Sequence, residues 1–190
     1  MKDVAQAAQA IASGGLVLHA TEGVWGFACN PQARHAVERL VAIKGRSWDK
    51  GFIVIGAQSS YFDSELGAIE ADRRRCIEAT WPGPHTWILP NVRFAEWITG
   101  ARPTVACRVV GHEQARALCR AFGGPLVSTS ANVSGTEPAI DEADARTRFA
   151  STVDFILAGQ VMNPGEPSTI HALDGSILRG QSAGTEARGR

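Results

Sequence analysis

Short apolar runs alternate with helix-patterned segments along this chain, and an Asp-Gly hairpin closes it. That order is its strongest constraint on fold. Alternation of strands and helices favours parallel crossovers. The runs Ser168–Leu173 and Ser176–Arg179 flank Asp174-Gly175 and demand an antiparallel pair. Together they predict an α/β protein with a mixed sheet.

The elements can be placed along the chain. Asp3 is positioned to cap a first helix carrying Val4, Ala7, Ala8 and Ile11 at helical spacing, ended by Gly14-Gly15. Leu16-Val17-Leu18 reads as a buried strand entering a polar loop, His19–Gly23. Glu22 is placed to cap a helix from near Val24. Asn30-Pro31 reads as a cap followed by a first-turn proline, opening a helix that buries Ala36, Val37, Leu40 and Val41 and ends near Lys44-Gly45. Strands are expected at Phe52–Ile55, Thr86–Leu89, Val105–Val110, Leu126-Val127 and Phe155–Leu157. Helices are expected over 65–80, 113–122 and 141–149. No linker divides residues 1–180, which read as one domain; the Gly/Ser/Arg-rich tail 181–190 is expected to be flexible.

Composition excludes several classes. No apolar run approaches the roughly 18 residues of a membrane span, and the N-terminal stretch lacks the pattern of a signal peptide. Nineteen basic and nineteen acidic residues give a net charge of +0, unlike a strongly basic nucleic-acid binder. Arg73-Arg74-Arg75 then reads as a solvated helix face. Cys29, Cys76, Cys107 and Cys119 form no CxxC pair and read as reduced thiols of a cytoplasmic protein. The histidines show no HxxxH or HExxH spacing, and no metal ligands are assigned.

Three places carry possible chemistry. Ser128-Thr129-Ser130-Ala131-Asn132 packs hydroxyls and an amide directly after a strand, as a Ser-rich turn or as a ligand site at a sheet edge. Lys44-Gly45-Arg46 is either a helix C-terminus complemented by cations or a polyphosphate site, with Lys as point charge and Arg as fork. Arg108 lies between Cys107 and Val109 in an apolar strand, where it needs a buried carboxylate or an anionic ligand. Ser128 and Ser130 lack a GxSxG setting, which argues against a hydrolase nucleophile.

Several segments together then resemble one family. "HATEGVWGFACNP", "AIKGR", "DKGFIVI", "WPGPHTWILP", "TVACRV", "PLVSTSANVSG" and "PSTIHALDGSILRG" follow one another as they do in the YrdC/TsaC family of threonylcarbamoyl-AMP synthases, from about residue 4 to 180. The resemblance implies a twisted open sheet around a concave cavity. It implies synthesis of L-threonylcarbamoyladenylate and pyrophosphate from L-threonine, bicarbonate or CO2, and ATP, with Mg²⁺ carried by the ATP phosphates. Partner proteins would then pass the group to tRNAs reading ANN codons, giving the t6A modification.

Carried over by residue, the resemblance gives Lys44, Arg46, Ser130 and Asn132 the catalytic phosphate-binding role. Thr21, Arg108 and Ser168 would hold threonine; Lys50, Thr104, Ser128 and Arg179 would add to the nucleotide walls. His19-Ala20 stands where the family has Tyr-Pro, Trp25 where Tyr or Phe is usual, Ser47 where proline is common, and Pro138 where longer relatives have serine. The altered first loop leaves open a paralogue that activates another acceptor. The neutral net charge argues against direct grip on tRNA, the requirement of a non-catalytic RNA-binding alternative.

Overall fold

A computed structural model describes residues 2–165 and 167–180. Among the described residues nine strands form one mixed sheet. They are β1 (Val17–Ala20), β2 (Trp25–Cys29), β3 (Ile53–Gly56), β4 (His85–Pro90), β5 (Thr104–Val109), β6 (Leu126–Ser130), β7 (Phe155–Leu157), β8 (Thr169–His171) and β9 (Ile177–Arg179). Their order is β7-β1-β2-β6-β3-β5-β4-β8-β9. The β1–β7, β3–β5 and β4–β8 pairs are parallel and the rest antiparallel. The described α-helices flanking the sheet are α1 (Lys2–Ala12), α2 (Arg34–Lys44), α3 (Asp63–Leu66), α4 (Ala71–Ala79), α5 (Glu96–Thr99), α6 (Glu113–Phe122) and α7 (Glu142–Phe149). Among the described residues no helix is long and apolar enough to cross a membrane. The proposed tail, 181–190, lies outside the described residues.

The pleat separates core from cavity, because successive strand side chains point to opposite faces. On β5, Val105, Cys107 and Val109 join the larger core cluster, with Trp25, Phe27, Val54 and Leu89. Thr104, Ala106 and Arg108 line the opposite, concave face. Arg108 is therefore not inserted into the apolar layer that its neighbours fill. On β6, Val127 belongs to that layer while Ser128 and Ser130 line the cavity. At one end of the concave face α1 packs on α6, burying Ala7, Ile11, Leu118 and Leu126 in a second cluster.

Several sequence expectations need correction. No helix starts near Val24: residues 25–29 are strand β2, turned back on β1 through Thr21, whose Oγ1 donates to the Val24 carbonyl at 2.7 Å. All five residues of β2 are buried, which removes the polar alternation that marks a half-exposed strand. His19 and Ala20 likewise belong to β1 and not to a loop. Asn30 does not cap α2, which begins four residues later; its Oδ1 accepts instead from the Gln32 amide at 2.9 Å. The helix expected over 65–80 is broken into α3 and α4, with Gly67 at the end of α3. Asp3 sits inside the first turn of α1. Strand β6 runs on to Ser130. The closing hairpin forms, with shorter strands than expected, around Gly175 at φ 96.

His19 is fully buried beside the first loop. Its Nδ1 donates to the Ala20 carbonyl at 3.0 Å, and its Nε2 has no partner among the described residues. Burial first, and the charge of His112 second, pull its pKa down to about 4, against the Ala20 hydrogen bond. The unfolded chain takes up this proton near pH 6.5 and the folded protein only near 4. Stability is therefore lost as pH falls between those values, by up to about 3 kcal/mol. His19→Gln should remove most of that loss: urea midpoints measured at pH 7 and pH 5 should converge in the variant and diverge in the parent.

Candidate functional site

The concave face encloses a cavity of 660 Å³. Its floor is apolar, built from Ile53, Ile55, Ala106 and Ile88 on neighbouring strands. Polar and charged groups gather at either side. A cavity of this size with a few convergent polar groups suits a nucleotide-sized ligand.

One side is organised by Lys44. It is the last residue of α2, where Gly45 adopts the left-handed conformation that ends the helix (φ 56) and allows the chain to turn before Arg46. Lys44 is 3% exposed, and its ammonium reaches Ser130 and Asn132 from behind the cavity lining. It donates to the Ser130 carbonyl at 2.6 Å, to Ser130 Oγ at 3.2 Å and to Asn132 Oδ1 at 2.5 Å. Ser130 Oγ donates to Asn132 Oδ1 at 2.6 Å, and Asn132 Nδ2 to the Thr136 carbonyl at 2.6 Å. This network fixes two side chains that line the cavity, so the Ser-rich segment is more than a solvated turn. Burial first, then the charges of Arg46 and Arg148, lower the Lys44 pKa to about 8. No carboxylate among the described residues offsets them.

Arg46 lines the cavity itself. Its guanidinium lies 4.5 Å from the Phe52 ring centroid, and Nη2 donates to the Gly51 carbonyl at 2.5 Å. Its Nε is buried with no partner among the described residues. Burial lowers its pKa. Gly51, at φ 66, has Ile98 and Thr99 carbonyls 3.0 Å from where a Cβ would stand, so a side chain there would push this loop out of place. Lys50 lines the cavity as well, and its carbonyl accepts from Arg102 Nη1 at 3.1 Å.

The other side holds Arg108. It is ion-paired to Glu22, and its Nε donates to the Gly83 carbonyl at 2.9 Å. Glu22 Oε1 also accepts from the Gly111 amide at 2.5 Å. Of the two partners open to Arg108 from sequence, the buried carboxylate is present. Burial lowers the Arg108 pKa while Glu22 opposes that shift. Thr21 and Ser168 line the same side, and Ser168 Oγ accepts from Thr86 Oγ1 at 3.1 Å. Arg179, on β9, completes the wall.

Of the sequence-derived site residues, Thr21, Arg46, Lys50, Thr104, Arg108, Ser128, Ser130, Asn132, Ser168 and Arg179 line one cavity, and Lys44 stands directly behind it. Two contributors were missed. Arg102 lies two residues before Thr104 at the mouth; its position just ahead of β5 was the available signal. Glu22 was read as a helix cap because its partner is remote in sequence. Among the described residues, Lys44, Arg46, Lys50, Arg102 and Arg179 form no ion pair with a carboxylate. A chain of zero net charge thus concentrates unneutralised cations around one cavity.

The fold and this lining define an α/β protein built to bind anions on the concave face of a mixed sheet. The chain belongs to the Sua5/YciO/YrdC family, whose model, described as telomere recombination, matches residues 9–180. A threonylcarbamoyl-AMP synthase of Halorhodospira halophila is 42% identical over 178 residues, covering 93% of each chain. One from Xanthomonas axonopodis pv. citri is 40% identical over 181 residues, covering 93% of this chain and 97% of that one. Among solved structures, P. abyssi Sua5 complexed with L-threonine superposes with a TM-score of 0.86 at 30% identity. It covers 93% of this chain, which spans about half, 53%, of the longer protein. E. coli YciO shares the fold, with a TM-score of 0.82 at 23% identity, over 93% of this chain and 88% of its own.

The lowered Lys44 pKa makes a prediction about anion affinity. ATP affinity should weaken as pH rises through about 8, where the buried ammonium of the free protein loses its proton. An ordinary lysine would hold its charge to about 10.4. Lys44→Arg should shift this fall to higher pH, as calorimetric titrations between pH 7 and 9.5 would show.

Proposed function

We infer that the protein is a threonylcarbamoyl-AMP synthase, a nucleotidyltransferase that makes L-threonylcarbamoyladenylate and pyrophosphate from L-threonine, bicarbonate or CO2, and ATP. The observation that carries this reading is the single cavity joining an unneutralised cation cluster to a second, carboxylate-balanced arginine. Relatives that carry this activity's name match over 93% of the chain. The product feeds t6A modification of tRNA through separate transfer proteins, in the cytoplasm.

The chemistry suits these residues. The threonine amine adds to CO2 and loses a proton, giving a carbamate. A carbamate oxygen attacks the α-phosphorus of ATP as the bond to pyrophosphate breaks. Both reactants are anionic, so positioning and positive charge do most of what such a site can do. Arg46 supplies a two-pronged donor to phosphate oxygens, and its unpartnered Nε fits that role. Ser130 and Asn132 present neutral polar groups whose geometry Lys44 fixes, while its ammonium adds charge from behind. Lys50 extends the phosphate track towards the mouth, and Thr104 and Ser128 add hydroxyls to the nucleotide wall. Arg108 receives the threonine carboxylate, with Thr21 and Ser168 beside it, and Arg179 closes the wall between the two substrates.

Among the described residues no three His, Cys, Asp or Glu side chains converge on a metal-sized site. Mg²⁺ would enter this cavity as an ion brought by the triphosphate, where it would offset phosphate charge. No protein nucleophile is needed, which agrees with a polar lining of Arg, Lys, Ser, Thr and Asn.

Pyrophosphate release from ATP should require both threonine and bicarbonate, measured by a coupled phosphatase assay. Release indifferent to threonine contradicts the reading. Arg46→Ala should cost about 2–3 kcal/mol in kcat/KM, the typical loss for one preorganised electrostatic group.

A further inference from the structure

The two sides of the cavity differ in charge balance. Behind and beside Ser130, Lys44 and Arg46 form no ion pair with a carboxylate among the described residues, and Lys50 and Arg102 add more positive charge at the mouth. On the other side Arg108 and Arg179 are accompanied by Glu22, which is ion-paired to Arg108. Arg179 feels the charge of Arg108 directly. Among the described residues, two cations and one anion leave that side with a net charge of one. Glu22 is 7% exposed and is held from two directions. Its Oε1 accepts from Gly111, and its own carbonyl accepts from the Met162 and Asn163 amides at 2.9 and 2.7 Å. It does not line the cavity, so it acts on a ligand only through Arg108.

We propose that Glu22 is a specificity-determining positioning residue: by neutralising Arg108 it keeps the amino-acid side of the cavity matched to a single carboxylate and turns phosphate away. This rests on the reading that Arg108 receives the threonine carboxylate. Two of the guanidinium's nitrogens are already committed, Nε to Gly83 and Nη2 to Glu22, so Nη1 is left to meet the ligand from a fixed direction. A site with two unbalanced guanidiniums would favour a phosphate dianion over a carboxylate. Both substrates share one open cavity, so without Glu22 a phosphate group would compete for the amino-acid side. Discrimination here works by an introduced repulsion as much as by attraction.

The test is calorimetric titration of L-threonine with and without inorganic phosphate, at ionic strength held constant with chloride. In the parent protein phosphate should leave threonine affinity unchanged. In Glu22→Gln, which keeps an acceptor for Gly111 but loses the charge, phosphate should weaken threonine binding about tenfold or more. Glu22→Asp keeps the charge and should remain indifferent to phosphate even if threonine binds less tightly. Phosphate that displaces threonine from the parent, or from Glu22→Asp, overturns the proposal, and both of these arms stand if the Gln variant does not fold. Threonine affinity untouched by Arg108→Gln overturns the carboxylate placement and the proposal with it. Affinity that depends on Arg108 while phosphate leaves Glu22→Gln unaffected overturns the role of Glu22 alone.

Discussion

The buried ammonium of Lys44 is the interaction on which the site depends. Three acceptors surround it, and each belongs to the strand end or turn that carries Ser130 and Asn132. Placing that charge under a polar surface, with no ion-paired carboxylate among the described residues, is costly, as its lowered pKa records. Arg46 and Arg179 carry the same signature of burial. A protein that tolerates several such groups on one face trades stability for a preformed anion site. The local backbone supports the arrangement: the Ser134 amide donates to the Lys44 carbonyl at 2.8 Å, tying the turn after β6 to the end of α2.

The sheet makes this affordable in structural terms by giving its two faces different tasks. One face carries the aromatic and aliphatic core, with Trp25, Phe27 and Leu40 fully buried. The other keeps Thr104, Arg108, Ser128 and Ser130 open to the cavity at alternate positions of the same strands. Each polar side chain therefore comes with a backbone anchored by its apolar neighbours, and rigid strands hold sites more exactly than loops do. Arg108 illustrates the point. Its neighbours fix β5 in the core while Glu22 and the Gly83 carbonyl fix its guanidinium.

Much of this was legible in the sequence. Helix α6 falls at the expected residues, and the strands around Arg108 and Leu126 lie within a residue or a few of their expected ends. The Asp-Gly signal marked the antiparallel closing hairpin, one of several antiparallel pairs in the mixed sheet. The motif residues quoted from the sequence line one cavity, with Lys44 behind it. Other features depend on contacts distant along the chain, which local patterns do not carry. Strand β2 is buried on both faces and showed no alternation, so it was missed. Glu22 looked like a helix cap because Arg108 lies 86 residues away in sequence (108 − 22). Lys44 and Arg46 share one phosphate-binding role in the sequence reading, yet the helix end turns one behind the Ser130–Asn132 pair and the other into the cavity.

The central claim is that one cavity orients both substrates, with phosphates on the Arg46, Ser130 and Asn132 side and the threonine carboxylate on Arg108. A crystal structure with L-threonine and a non-hydrolysable ATP analogue tests it most directly. The account predicts the carboxylate within hydrogen-bond distance of Arg108 and the α-phosphate against Ser130 and Asn132. A carboxylate lying on Arg46, with the phosphates against Arg108, would contradict it.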